Sequence, residues 1–250
     1  MKKSVLIFAL IIGLLTSAST AMAQTVNMSR YITLTVKNGE EIRVDFKAAA
    51  AGTPVRIVRG SNTRDITVGT SWRGVVFYAA FGTTMTFYGD LTGFDCNHNN
   101  GNVKALDVSN NTLLMELYCI GNRLASLDVS HNTQLKELYC HGNNFNTAAI
   151  DRIYCALPDR TGTTNGRIYP LNNSSDPNYA TVLATNAQNA ISKNWKVQYI
   201  ETETEPNIAT TGSYVCGGGG TTTYDLKIAG VPVTSANCSD LSVISGVSGT

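Results

Sequence analysis

The chain has 250 residues, only 15 % of them charged, with 19 Lys and Arg against 18 Asp and Glu and with 22 glycines. So even a balance supplies no field to recruit nucleic acid or an anionic membrane surface. Sparse charge with many glycines, threonines and asparagines suits strands and turns better than a helical bundle, and the length allows one or two domains.

Residues 1–23 have the order of a secretory signal peptide: Lys2 and Lys3, an apolar run from Val5 to Leu15, and small residues closing on Ala21, Met22 and Ala23 before Gln24. This predicts an exported protein, secreted or held at the cell surface, cleaved after Ala23. No later stretch approaches the roughly 20 apolar residues that a membrane span needs. No cysteine stands at the cleavage point, so lipid attachment there is not expected.

From 24 to 90 the chain alternates apolar and polar residues in runs that begin at Tyr31, Glu41, Val55, Val75 and Met85, broken by Asn38-Gly39, Gly52, Gly60, Gly69 and Gly82. Alternation of period 2 between turn residues predicts short antiparallel strands. Lying just before a repeat, this segment is expected to act as a β-rich N-terminal cap.

The repeat occupies 91–146. The tetrapeptide ELYC stands at 116–119 and again 21 positions later at 137–140. One copy carries Leu114, Leu117, Cys119, Asn122 and Leu124, and the next Leu135, Leu138, Cys140, Asn143 and Phe145. A degenerate earlier copy carries Leu91, Phe94, Cys96, Asn99 and Val103, with a two-residue insertion near Asn100-Gly101. The pattern is that of a leucine-rich repeat with cysteine in place of the third leucine. It predicts a short solenoid of 21-residue coils whose parallel strands stack to bury a shared edge.

Thr147 reads as the N-cap of a helix over 148–157 that Pro158 ends, and a second helical pattern over 179–192 leads into a strand from Trp195. Residues 147–200 are thus expected to form an α/β C-terminal cap. The acidic, then threonine- and glycine-rich stretch 201–223 reads as a linker. Strand character resumes over 224–250, as the start of a further and incomplete β module.

Six cysteines in an exported chain ordinarily suggest disulfides. Cys96, Cys119 and Cys140, however, hold one position in successive copies. In-register strands lie about 4.8 Å apart, whereas bridged Cβ atoms lie about 3.8 Å apart, so a ladder of buried, reduced thiols is expected. Asn122 and Asn143 are expected to satisfy inward-turning backbone groups at the coil corners. Cys155 falls in a helical pattern; a Cys216–Cys238 bridge across the glycine run stays open.

With Leu117 and Cys119 inward, alternation sends Glu116, Tyr118 and Ile120 outward, likewise Glu137, Tyr139 and His141 from the next copy and Asp95 and Asn97 from the first. Stacking then sets Glu116 beside Glu137 and Tyr118 beside Tyr139. Rigid aromatic side chains in rows suit a ligand-binding face of Glu116, Tyr118, Glu137, Tyr139 and His141, although cross-strand tyrosines also simply stabilise sheets. Cys140 and His141 point to opposite faces and cannot share a metal ion, and no C-x-x-C spacing exists. Gly217–Gly220 lacks the Lys-Ser/Thr of a phosphate-binding loop. No catalytic residue, metal or cofactor is expected.

The 21-residue period, the cysteine ladder and the repeated phrase Leu-Asp-Val-Ser at 106–109 and 127–130 resemble internalin-type bacterial leucine-rich-repeat surface proteins, in the cysteine-ladder, internalin J-like subgroup. The resemblance implies a non-enzymatic adhesion or recognition protein, exposed at the cell surface, whose ligand is a protein or a glycan. Alternatives are a glycan-binding module and the targeting front of a longer surface enzyme. The chain has only about three copies of the repeat and no visible wall-sorting signal.

Overall fold

The computed structural model describes residues 25–201 and 206–217, together with two short strands near the end of the chain. The elements run in the order β1 (Tyr31–Val36), β2 (Glu41–Ala48), β3 (Thr53–Arg59), β4 (Asn62–Val68), β5 (Val76–Ala79), β6 (Thr84–Tyr88), β7 (Leu91–Asp95), β8 (Val103–Asp107), β9 (Glu116–Tyr118) and β10 (Glu137–Tyr139). There follow α1 (Thr147–Ala156), β11 (Gly166–Leu171), α2 (Tyr179–Leu183), α3 (Gln188–Ile191), β12 (Trp195–Tyr199), β13 (Lys227–Ile228) and β14 (Val231–Pro232). The proposed signal peptide, Gly218–Gly220, Cys238 and most of 224–250 lie outside the described residues.

Two sheets carry the fold. The five-stranded sheet has the order β4-β3-β6-β1-β8 and is antiparallel throughout. At the turn between β3 and β4, Gly60 takes a φ of +60°, and a Cβ there would strike the backbone of Phe81; both constraints favour glycine. The seven-stranded sheet has the order β12-β11-β10-β9-β7-β2-β5. It is parallel from β12 to β7, and then β2 and β5 add antiparallel.

Alternation explains which faces meet. Ile42, Val44 and Phe46 of β2 are fully buried. The Phe46 and Phe87 rings stand 6.0 Å apart, and those of Phe87 and Phe94 5.1 Å, so the two sheets pack together at their N-terminal portions. The same core continues through Leu117, Leu138, Ile168 and Val197 and beneath Ile150, Ile153 and Tyr154 of α1.

Cys96, Cys119 and Cys140 lie in this core with free thiols. Beside them runs an asparagine ladder. Asn122 Nδ2 donates to the carbonyls of Cys96 at 2.8 Å and Cys119 at 3.0 Å, and Asn143 Nδ2 to those of Cys119 at 2.9 Å and Cys140 at 3.0 Å. One amide thus bridges its own strand and the one before it. One further bridge of this kind has no counterpart in the sequence reading: Asn132 Nδ2 donates to the carbonyls of Val108 and Asn111.

The expected short leucine-rich-repeat solenoid with a β cap and an α/β cap is overturned. The chain forms two sheets of five and seven strands, antiparallel and mixed, rather than a solenoid of parallel strands. The physical reason lies in strand pairing: the repeat supplies only β7, β9 and β10 to the larger sheet. Residues expected to cap it instead pair edge to edge with the repeat region, β2 with β7 and β1 with β8.

Smaller expectations change as well. The N-cap of α1 is Asn146, whose side chain accepts from Ala149 N at 2.8 Å, while Thr147 is already helical. The helix expected over 179–192 is two short ones, interrupted where the Thr185 hydroxyl donates back to the Val182 carbonyl. Cys216 bridges Cys155, not Cys238. Within the stretch read as a linker, residues 206–217 lie on the protein: Ile208 N donates to Val197 O at 2.8 Å, and Tyr214 O accepts from Asn186 and Asn189.

Candidate ligand-binding face

The face of the seven-stranded sheet that points away from the core carries a row of polar and aromatic side chains. Glu116 and Tyr118 on β9 pair in register with Glu137 and Tyr139 on β10, and these with Arg167 and Tyr169 on β11. The tyrosine rings stand 4.5 Å apart from Tyr118 to Tyr139 and 4.4 Å from Tyr139 to Tyr169. Tyr169 is fully buried, so the solvent-facing part of the row ends at the half-buried Tyr139.

The Tyr118 hydroxyl lies 3.2 Å from Glu116 Oε2 and 3.2 Å from Glu137 Oε2. Burial and then the two carboxylates raise its pKa far above the usual phenol range, so it stays a donor that ties the glutamates of adjacent strands together. Lys47 Nζ on β2 pairs with Glu116 Oε1 at 2.7 Å, and Arg167 approaches Glu137 at 4.0 Å.

Trp72 completes the row, and no periodic signal predicted it. It rides on the loop between β4 and β5, with its ring centroid 5.1 Å from that of Tyr118 and from Lys47 Nζ. The loop is pinned to β2 at several points. Gly69 O accepts from Ala48 N, Arg73 N donates to Phe46 O, and Gly74 N donates to Asp45 Oδ2 at 3.1 Å. Burial pushes the Asp45 carboxyl up, against the backbone donors of Phe46 and Gly74 that favour its charged form.

On β7, Gly93 stands in register with Glu116. A Cβ at Gly93 would lie 2.8 Å from Lys47 Cγ and 2.9 Å from the Trp72 ring. The absent side chain is therefore what lets Trp72 and Lys47 lie against the strand.

The structure brings together four of the five expected binding residues: Glu116, Tyr118, Glu137 and Tyr139. His141 is separate from that network. It is half-buried with Nδ1 lacking a partner, and burial lowers its pKa, opposed by Asp176 and reinforced by His98. Two residues expected to face outward are buried instead, Ile120 and Asp95. Arg43 covers Asp95 through a 2.8 Å ion pair, and Asn97 accepts from Ile120 N at 2.7 Å.

The ladder thiols are far from thiolates. Burial pushes Cys140 up to about 12 and raises Cys96 and Cys119 well above the usual thiol range; a protonated, buried thiol is a poor nucleophile. Among the described residues no group of three or more His, Cys, Asp or Glu is placed to hold a metal ion, and no helix is long and apolar enough to cross a membrane. No family model matches the chain, and comparison with curated proteins and with solved structures finds no match.

Proposed function

We propose that the chain is a non-enzymatic, exported recognition or adhesion protein of the bacterial cell surface, whose ligand contacts the row from Trp72 to Tyr139. One observation carries the reading: aromatic rings and paired carboxylates stand half-buried on a rigid sheet, on the side away from the core. Such side chains give contact area at small entropic cost and are preferred at binding hot spots. The signal-like residues 1–23 and the likeness of 91–145 to internalin-type surface proteins support the same reading.

The test is adhesion of beads coated with the exported protein to cells and to extracellular material. The double change Tyr118→Ala and Tyr139→Ala is expected to weaken adhesion by about 2 kcal/mol or more while unfolding stays cooperative. Unchanged adhesion would make the tyrosines sheet packing and place the binding face elsewhere.

A further inference from the structure

The charges along the row are matched within the protein. Lys47 pairs with Glu116 at 2.7 Å, Arg43 with Asp95 at 2.8 Å, and Arg167 stands 4.0 Å from Glu137. A charged ligand would therefore have to displace ion pairs already made. What the row offers is an apolar line with hydrogen-bonding groups along one side. Trp72, Tyr118 and Tyr139 follow one another at 5.1 and 4.5 Å, flanked by the carboxylates of Glu116 and Glu137. Those carboxylates are only partly covered, with 22 % and 29 % of their side chains exposed. Each carboxylate oxygen has two acceptor sites. Arg167 stops beyond hydrogen-bond distance of Glu137 Oε1, which leaves room for a hydroxyl donor.

Resting on the reading of this row as a recognition face, we propose that it takes a neutral, polyhydroxylated glycan chain. The flat C–H face of a sugar ring packs on the aromatic line, with Trp72 as the anchor, and hydroxyls on one edge donate to Glu116 and Glu137. A sugar is matched on both counts: it is uncharged, and its apolar face and polar rim are separate. Gly93 is part of the site, because any larger residue there displaces Lys47 or Trp72.

The experiment uses the full exported chain against an immobilised panel of neutral linear oligosaccharides (cellohexaose, maltohexaose, chitohexaose), anionic glycans (heparin oligosaccharides, polysialic acid) and unmodified polypeptides. Neutral glycans are expected to bind, with a Kd that changes little between about 0.05 and 0.5 M salt, since no counter-charge is screened. Trp72→Ala is expected to weaken that binding about tenfold or more. Gly93→Ala, which keeps the indole but shifts it, is expected to weaken it as well, and both variants are checked for a cooperative melt. Binding restricted to anionic glycans, a steep salt dependence, or full affinity in both variants overturns the proposal. Binding of polypeptides alone, lost on Tyr118→Ala with Tyr139→Ala, overturns the glycan assignment and leaves the recognition face standing; no binding sensitive to any of these changes removes both.

Discussion

At one edge of the seven-stranded sheet, the segment 206–217 meets β12 at its start, where Val197 N donates to Asn207 Oδ1 and Ile208 N to Val197 O. It then runs past α2 and α3, with Thr211 N donating to Leu183 O and Tyr214 O accepting from Asn189, and Cys216 is tied to Cys155 on α1. At the other edge, β5 is four residues long, and Val75 and Phe77 leave 45 % and 58 % of their surface to solvent. An open strand edge invites pairing with other chains, and proteins counter this by covering the edge, shortening it or charging it. Two of these remedies occur here: a covalently anchored strap covers β12, whereas β5 is kept short, with Arg59 donating to Ala79 O at 3.2 Å. The difference teaches that the covered edge depends on a distant bond and the short edge on local side chains.

The sharpest way to break that contrast is to remove the distant bond. The bridge closes a 61-residue separation, and Cys155→Ser with Cys216→Ser is expected to lower stability by about 4 kcal/mol. Amide exchange at Val197 and Ile208 should rise more than anywhere in β7. Equal exchange before and after would show that the strap holds without its staple.

The middle of the sheet gives the scale for comparison. Asn143→Ala leaves the Cys140 carbonyl without its side-chain donor and Leu124 N without the Asn143 Oδ1 acceptor, a cost of about 2–3 kcal/mol. Asn122→Ala is expected to cost less, because the Cys96 and Cys119 carbonyls still accept from Asn99 and Asn143. Denaturant melts that rank the two the other way would contradict this account of the ladder. The smallest effect belongs to the short edge: Phe77→Lys should move stability by no more than about 0.5 kcal/mol while lowering any tendency to self-associate, read by light scattering.

The repeat-borne part of the site was legible because period and alternation are local signals. ELYC recurring at 21 positions sets Glu116 and Tyr118 beside Glu137 and Tyr139 once the strands pair in register. Trp72 was not legible, since it reaches the row on a loop, and its partners Lys47 and Gly93 come from strands whose pairing no local pattern announces. The architecture was misjudged for the same reason. Alternation over 31–90 announces strands but not that β2 will join β7 and β1 will join β8. The Cys155–Cys216 bridge likewise depends on where 206–217 docks, and spacing along the chain does not encode that.

The asparagine ladder also bears on how such a chain can change over generations. The junction between β7 and β9 and the junction between β9 and β10 use the same amide bridging the same kind of carbonyl. A gene segment duplicated in frame across this stretch would meet neighbours that already speak its chemistry on either side. Each added copy would widen the aromatic row by one strand, about 4.8 Å, without disturbing Trp72 at one end or the disulfide at the other. The breadth of the aromatic row is in that sense an inheritable dial, set by copy number rather than by redesign of the core.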